Sequence, residues 1–331
     1  MHNIEERDRQ IGIKQAWHGL TEVVDVIDVH DNYLRNWDVV RKPLTYINSE
    51  EEEIETGFGI LVGSDDDKII GRPMNPTYRP VTNEAFIDLV AGAISQLPKA
   101  TIESIGSVCN RGKVFATVSL KDHKEFTVGG RTFNDFLNFG NAHDQSSKLW
   151  INNTNTCTVC DNTFTSNMLS TKGKVASAVH RGDMEVKLAD MAHVVDVFLE
   201  SQEDFRRGFE SLVKQQLSEE RAQQLFVGFL TRNNPREGLS TRTLNKADNL
   251  TTLFKSGAGN RGENMADAFS AVTDYYTHSS TRGGGLNRLN QFVSSEFGIG
   301  RAAKQTFWDV VNSSEKTEQA IVRGEKLLTA V

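Results

Sequence analysis

The chain has 331 residues, enough for one large or two ordinary domains with a buried core. With 38% apolar and 24% charged residues it reads as globular, no apolar run approaches membrane-helix length, and the start MHNIEERDRQ lacks the basic and apolar parts of a secretory leader. Three cysteines, an odd number, exclude a disulfide framework and fit thiols kept reduced in a cytoplasm. The net charge of −7 lies wholly in residues 1–80, with 16 acidic and 9 basic side chains; the rest of the chain holds 28 of each.

Taken in chain order, residues 1–80 form an acidic segment with short strands. The runs Glu50 to Glu53 with Glu55, and Asp65 to Asp67, flank the strand-like GFGILVG at 57–63 and are expected as solvated loops. The alternative is a mobile acidic arm that competes with nucleic acid for a basic groove. Pro73, Pro76 and Pro80 fall within ten residues, which no helix or central strand accommodates, so a boundary or edge segment is expected there.

Residues 81–182 read as an α+β core. Val81, Ala85, Phe86, Leu89, Val90 and Ala93 recur at helical spacing, with Thr82 or Asn83 as N-cap and Pro98 beyond the end. From Ala100 the period changes to two. A turn at Asn110-Arg111-Gly112 leads into KVFATVSL, Gly129-Gly130 joins EFTV to RTFNDFLNF, and a further strand is predicted over 148–160. The expected product is an antiparallel sheet of hairpins, about four to six strands, with a packed helix.

Residues 183–331 read as a mostly helical region. Leu188, Met191, Val195, Phe198, Gln202, Phe205, Phe209 and Leu212 step alternately by three and four, predicting one long helix with a single apolar seam. The seam should pack on the next helix or on the sheet; a self-pairing coiled coil with Gln202 as its polar slot is the alternative. Further helices are predicted over 218–230, 241–255, 263–277, 300–312 and 314–328.

Residues 138–163 concentrate unusual chemistry: a His-Asp pair, Trp150, five consecutive Asn and Thr from Asn152 to Thr156, and two of the three cysteines. Cys157 and Cys160, with Cys109 and His143, contain the elements of a zinc site. In a strand, however, residues three apart face opposite ways, and no second paired motif is present, so no metal is expected. His143, Asp144, Cys160 and Asn162 contain the ingredients of a thiol nucleophile, its base and an orienter, the catalytic alternative. The structural alternative has His143-Asp144 closing a strand in a turn and Asp161 or Asn162 capping a helix that begins DNTFTSNML. Gly283 to Gly285 follow Arg282 without the Gly-Lys-Ser/Thr ending of a phosphate loop, and read as a joint between helices. No cofactor motif is present.

Basic residues point elsewhere. Arg111, Lys113, Lys121, Lys124 and Arg131 concentrate at hairpin tips, with Lys172, Lys174 and Arg181 around the next strand. Arg232, Arg236, Arg242, Lys246, Lys255, Arg261, Arg282, Arg288, Arg301 and Lys304 lie in a region rich in Gly, Asn, Ser and Thr. Cations mixed with short hydrogen-bond donors suit a phosphate backbone, although solvated helix faces look similar, and the net acidity counts against tight duplex binding.

Several segments carry a resemblance: WHGL at Trp17, YRPVTNEAF from Tyr78, NAHDQS around His143, CDNT from Cys160, VHRG ending at Gly182 and AVTDYYTH from Ala271. In order and spacing, along nearly the whole chain, these resemble the phage/plasmid-like protein family, a prokaryotic domain of unknown function. The chain departs from that pattern at Ala142, Gln145, Ser270 and Asp274, and at Cys157, where the family has a non-cysteine residue. The resemblance implies a mobile-element protein in the cytoplasm of a bacterial host, but no settled activity. In outline, a helix laid over hairpins is similar to single-strand annealing recombinases.

The leading expectation is therefore a non-enzymatic, homo-oligomeric protein that binds single-stranded DNA and assists annealing or recombination. Cations on the hairpins and stacking by Phe115 or Trp150 would supply the contacts. An enzyme pocket around His143, Asp144, Cys160 and Asn162 is one alternative. A host-interaction protein using an exposed helical seam is the other.

Overall fold

The computed structural model describes residues 3–6, 22–23, 33–97, 100–120, 126–157, 163–166, 177–192, 195–233, 239–280 and 288–330. Its strands are β1 (Asn3–Glu6), β2 (Glu22–Val23), β3 (Val39–Ile47), β4 (Glu53–Gly63), β5 (Ile69–Met74), β6 (Ala100–Val108), β7 (Lys113–Leu120), β8 (Phe126–Val128), β9 (Arg131–Ala142), β10 (Leu149–Cys157), β11 (Thr163–Ser166) and β12 (Ser177–Ala178). Its helices are α1 (Asn83–Ser95), α2 (Met184–Ala192), α3 (Val195–Lys214), α4 (Glu219–Leu230), α5 (Thr241–Ser256), α6 (Met265–Asp274), α7 (Arg288–Phe297), α8 (Ile299–Val311) and α9 (Ser314–Thr329).

The alternating segments between Ala100 and Cys157 pair antiparallel, in the order β10-β9-β7-β6, as the centre of a larger sheet. The β6–β7 turn bends through positive φ at Cys109, Asn110 and Arg111, and Gly129-Gly130 turn β8 into β9 with φ of 59° and 76°. The sheet has nine strands among the described residues, more than the four to six expected. The additions are short or come from the N-terminus: β1 joins β6, β2 joins β1 in parallel, β11 and β12 extend β10, and β8 joins β9. A second sheet, β3-β4-β5, stands apart from it in hydrogen bonding. The architecture is α+β, with antiparallel sheets in the first half and helices in the second.

Period two decides what each face of the main sheet buries. Val114, Ala116 and Val118 of β7, Leu137 and Phe139 of β9 and Ile151 of β10 form one core with Phe86, Leu89 and Val90 of α1. Trp37, Val39, Leu61, Ile70 and Met74 belong to the same core, so the first 80 residues and the α+β segment share one interior. The opposite face carries Phe115, which meets Phe292 of α7 at a ring-centroid distance of 5.3 Å. Helix α7 was not expected; its polar sequence RLNQFVSSEF hides one anchor, Phe292, in a short stripe.

Caps define most helix starts. Thr82, Ser218, Ser240, Asn264 and Ser313 each accept a hydrogen bond from the third residue beyond, starting α1, α4, α5, α6 and α9. The predicted single long helix is found as α2 and α3, whose seam serves two interiors. Met191 joins the sheet core, whereas Phe205, Phe209 and Leu212 join a helical core with α4, α5, α6 and α8. These four seam residues are enclosed, as expected of a seam that packs on neighbouring elements, while Leu188 and Gln202 are half-buried. The helix expected to begin at DNTFTSNML is instead β11 over Thr163–Ser166, where Thr163 and Phe164 pair with Thr156 and Asn155 of β10. Two β-branched threonines flanking an aromatic favour the pleated edge. Among the described residues no helix is long and apolar enough to cross a membrane.

Helices α4 and α9 cross at two glycines. A Cβ on Gly228 would lie 1.8 Å from the Ala320 carbonyl oxygen, and one on Gly324 would lie 1.8 Å from that of Gln224. The backbones approach so closely that only hydrogen fits on either side.

Candidate nucleic-acid interface and the His143 cluster

Three of the motif segments converge at one end of the main sheet. His143 follows β9 directly, and its Nε2 lies 3.0 Å from Asn83 Oδ1 at the start of α1. Asn83 Nδ2 donates to the carbonyls of Leu34 and Trp37, and its backbone N–H donates to Asp38. Tyr78 donates to the Ala142 carbonyl and stacks on His180 with ring centroids 5.0 Å apart, while Arg79 N–H donates to the His180 carbonyl. Distant segments are thereby tied to one strand end.

This cluster is built to be closed. His143 is fully buried, and burial, then the nearby His180, hold its pKa down at about 3. Burial likewise lowers His180 to about 4. Among the described residues His143 Nδ1 and both ring nitrogens of His180 lack hydrogen-bond partners. Asp144 does not orient His143. Burial raises its carboxyl pKa, but hydrogen bonds from Lys113 and Ser146 outweigh that and hold it below the usual range. The catalytic alternative is corrected on this point: a base enclosed on every side cannot take a proton from an outside substrate. Cys160 and Asn162 lie outside the described residues. Cys157 is buried among Phe133, Phe205 and their neighbours, and no group of three or more metal-ligating side chains occurs among the described residues.

The hairpin cations are placed differently from the expectation of exposed tips. Arg111 forms a fork on Asp65 at 2.7 and 2.9 Å and lies 4.6 Å from the centre of the Trp37 ring. Lys113 is buried against Asp144 and Ser146. Arg131 is buried against Asp267, with Gly259 and Asn260 accepting further hydrogen bonds. Each of the three is engaged by a carboxylate; the Asp65 to Asp67 run is the exposed turn expected of it, and within it Asp65 and Asp66 also anchor Arg111. Arg181 is exposed. Lys121, Lys124, Lys172 and Lys174 lie outside the described residues. Phe115 and Trp150, expected as stacking platforms, are enclosed beneath α7 and α8, with Arg301 4.4 Å from the Trp150 ring.

A second cation group has a different character. After α6 the chain widens into a π-helical turn, Tyr275–Ser279, inside the AVTDYYTH segment. Gln291 of α7 donates to the Tyr276 carbonyl at 2.7 Å and so ties down one of the carbonyls of the turn. Beneath it, buried Lys304 donates to Ser295 at 2.8 Å. Near this turn stand Arg232 at the end of α4 and Arg242 on α5, with Lys246 one helical turn beyond Arg242. Arg232 lies 4.3 Å from the Phe229 ring and donates to the Phe229 carbonyl. Burial lowers the Lys246 pKa and the like charge of Arg242 lowers it further. Burial raises Tyr275 and Tyr276, against the opposing charges of Arg242 and Arg232 respectively.

Among the described residues none of Arg232, Arg242 and Lys246 is ion-paired, whereas Lys255, on the same helix as two of them, is paired with Glu219. Burial lowers the Arg232 pKa as well. Arg242 and Lys246 are therefore like charges held near one another, the lysine partly desolvated, with no ionic partner for either among the described residues. Sequence reading included these three in a longer roll of C-terminal cations but could not separate them from paired ones. Pi-helical turns recur at functional sites, and nothing in YYTHS announces one.

No curated protein and no solved structure matches the chain. One family model does, over residues 74–321, which include α1, the central strands of the main sheet, the His143 cluster and the π-helical turn. The chain belongs to the family described as a domain of unknown function, DUF932.

Proposed function

We propose that this protein binds single-stranded nucleic acid without catalysing a reaction, and that Arg232, Arg242 and Lys246 supply its phosphate contacts. The observation that carries this reading is that the three lack ionic partners among the described residues, with Arg242 beside Lys246 and near Tyr275, and Arg232 near Tyr276 of the π-helical turn. Cations near one another raise each other's affinity for anions, and a repeated anion such as a phosphate backbone satisfies several at once. The motif likeness to phage and plasmid products supports DNA as the strand and annealing or recombination as its use.

Fluorescence anisotropy with labelled oligonucleotides tests the reading. Three phosphate contacts on a single strand give a salt slope of about −2 in log K against log salt. Replacing Arg232, Arg242 and Lys246 together by Gln should abolish that slope while leaving the fold intact by circular dichroism. Absence of binding at micromolar protein in low salt overturns the proposal.

A further inference from the structure

The β3–β4 hairpin is the least covered part of the described structure. β5 pairs with β4 only from Gly59 to Val62, and no residue between Val40 and Phe58 is buried. Beyond β5 the hairpin is a two-stranded ribbon reaching roughly 15 Å further, with no strand of the described residues paired to either edge. Tyr46, Ile47 and Phe58 are among the few exposed large apolar side chains. An isolated ribbon of this kind is marginal by itself and gains from being covered. Its tip is charged in one sense only: from Leu44 to Phe58 there are five glutamates and no base. Among the described residues none of the five is ion-paired; Glu52 and Glu53 meet only Asn48 and Thr45.

The same chain carries the complement. Arg232, Arg242 and Lys246 present unbalanced positive charge beside aromatic rings, and an arginine also accepts the face of an incoming aromatic side chain. Neither surface reaches the other within one molecule, since both remain without ionic partners among the described residues. We infer that the acidic β3–β4 ribbon docks on the Arg232, Arg242 and Lys246 surface of a second copy of this chain. Donor and acceptor surfaces differ, so the contact is heterologous and each added copy leaves both ends available, which builds a ring or a filament rather than a closed dimer. The inference uses the cations of the proposed function, but not the assumption that nucleic acid is their partner.

Light scattering coupled to gel filtration of the full chain, without nucleic acid, tests it. Wild type is expected to form higher-mass species in low salt and to lose them in high salt. Glu51→Lys with Glu52→Lys and Glu53→Lys should be monomeric, as should Arg242→Glu with Lys246→Glu, both retaining the wild-type circular dichroism spectrum. Mixed together they should assemble again, because the reversed ribbon of one faces the reversed surface of the other. A wild type that stays monomeric in low salt, either variant assembling alone, or a mixture that does not assemble, overturns the inference. A wild type that binds oligonucleotides as a monomer sinks this inference and leaves the proposed function standing; a salt-sensitive assembly with no oligonucleotide binding does the reverse.

Discussion

Lys113 Nζ lies 2.6 Å from Asp144 Oδ2, in an ion pair where only 9% of the lysine side chain is exposed. The two residues stand 31 positions apart, at the start of β7 and just after β9, and their pairing fixes the turn that carries His143.

That burial changes what removing the lysine does. An exposed tip cation could be deleted with little effect, but Lys113→Ala leaves a partly buried carboxylate without its counter-charge. We expect a loss of about 1–3 kcal/mol in urea unfolding. A change under about 0.5 kcal/mol would show that water compensates Asp144 fully.

The His143 cluster predicts a pH dependence. His143 and His180 have folded-state pKa values depressed to about 3 and about 4, against an ordinary imidazole value of 6.5. The unfolded chain therefore takes up protons first. Stability is fully present above the ordinary value and is lost as pH falls through it toward the folded values, at roughly 2 kcal/mol per histidine between about pH 6.5 and pH 5. Denaturant titrations across that window should show the decline, and His180→Phe, which keeps a ring against Tyr78, should remove about half of it. An unchanged decline in that variant would place the titrating groups elsewhere.

Local patterns made much of the fold readable. Period-two alternation around Asn110-Arg111-Gly112 and Gly129-Gly130 gave the central hairpins, and the cap at Thr82 gave the start of α1, because both signals are complete within a few residues. What escaped is non-local. Arg131 and Asp267 are 136 residues apart, and a sequence shows their charges without their pairing. Arg111 and Arg242 look alike as letters; only the fold shows that Asp65 neutralises the first and leaves the second unbalanced. Helix α7 and the π-helical turn escaped for a related reason, since each is held by tertiary contacts, Phe292 on Phe115 and Gln291 on Tyr276, rather than by propensity.

The α4–α9 crossing was equally invisible, and it makes a sharp prediction. Alanine normally favours a helix interior over glycine by about 1 kcal/mol. At Gly228 or Gly324 the added methyl would collide with a carbonyl of the other helix, and backbone cannot move aside as a side-chain end can. Gly228→Ala and Gly324→Ala should each destabilise by about 2 kcal/mol or more and lower Tm by several degrees. A neutral or stabilising result for both would mean that the helices separate at little cost.

The last prediction separates the two cation groups. Counterions are released on binding only from phosphates that meet a cation not already neutralised by the protein. Arg111 is held in a two-pronged pair with Asp65, and this guanidinium keeps the Asp65 carboxyl below its usual range. Arg111→Gln should therefore leave the affinity and salt slope of oligonucleotide binding unchanged. Arg242→Gln, which removes a cation without an ionic partner among the described residues, should flatten the slope by about 0.7, one single-strand contact. Anisotropy titrations of both variants over the same salt series decide the matter. If Arg111→Gln flattens the slope and Arg242→Gln does not, nucleic acid displaces Asp65 and binds across the β6–β7 turn, and the C-terminal surface is not its site.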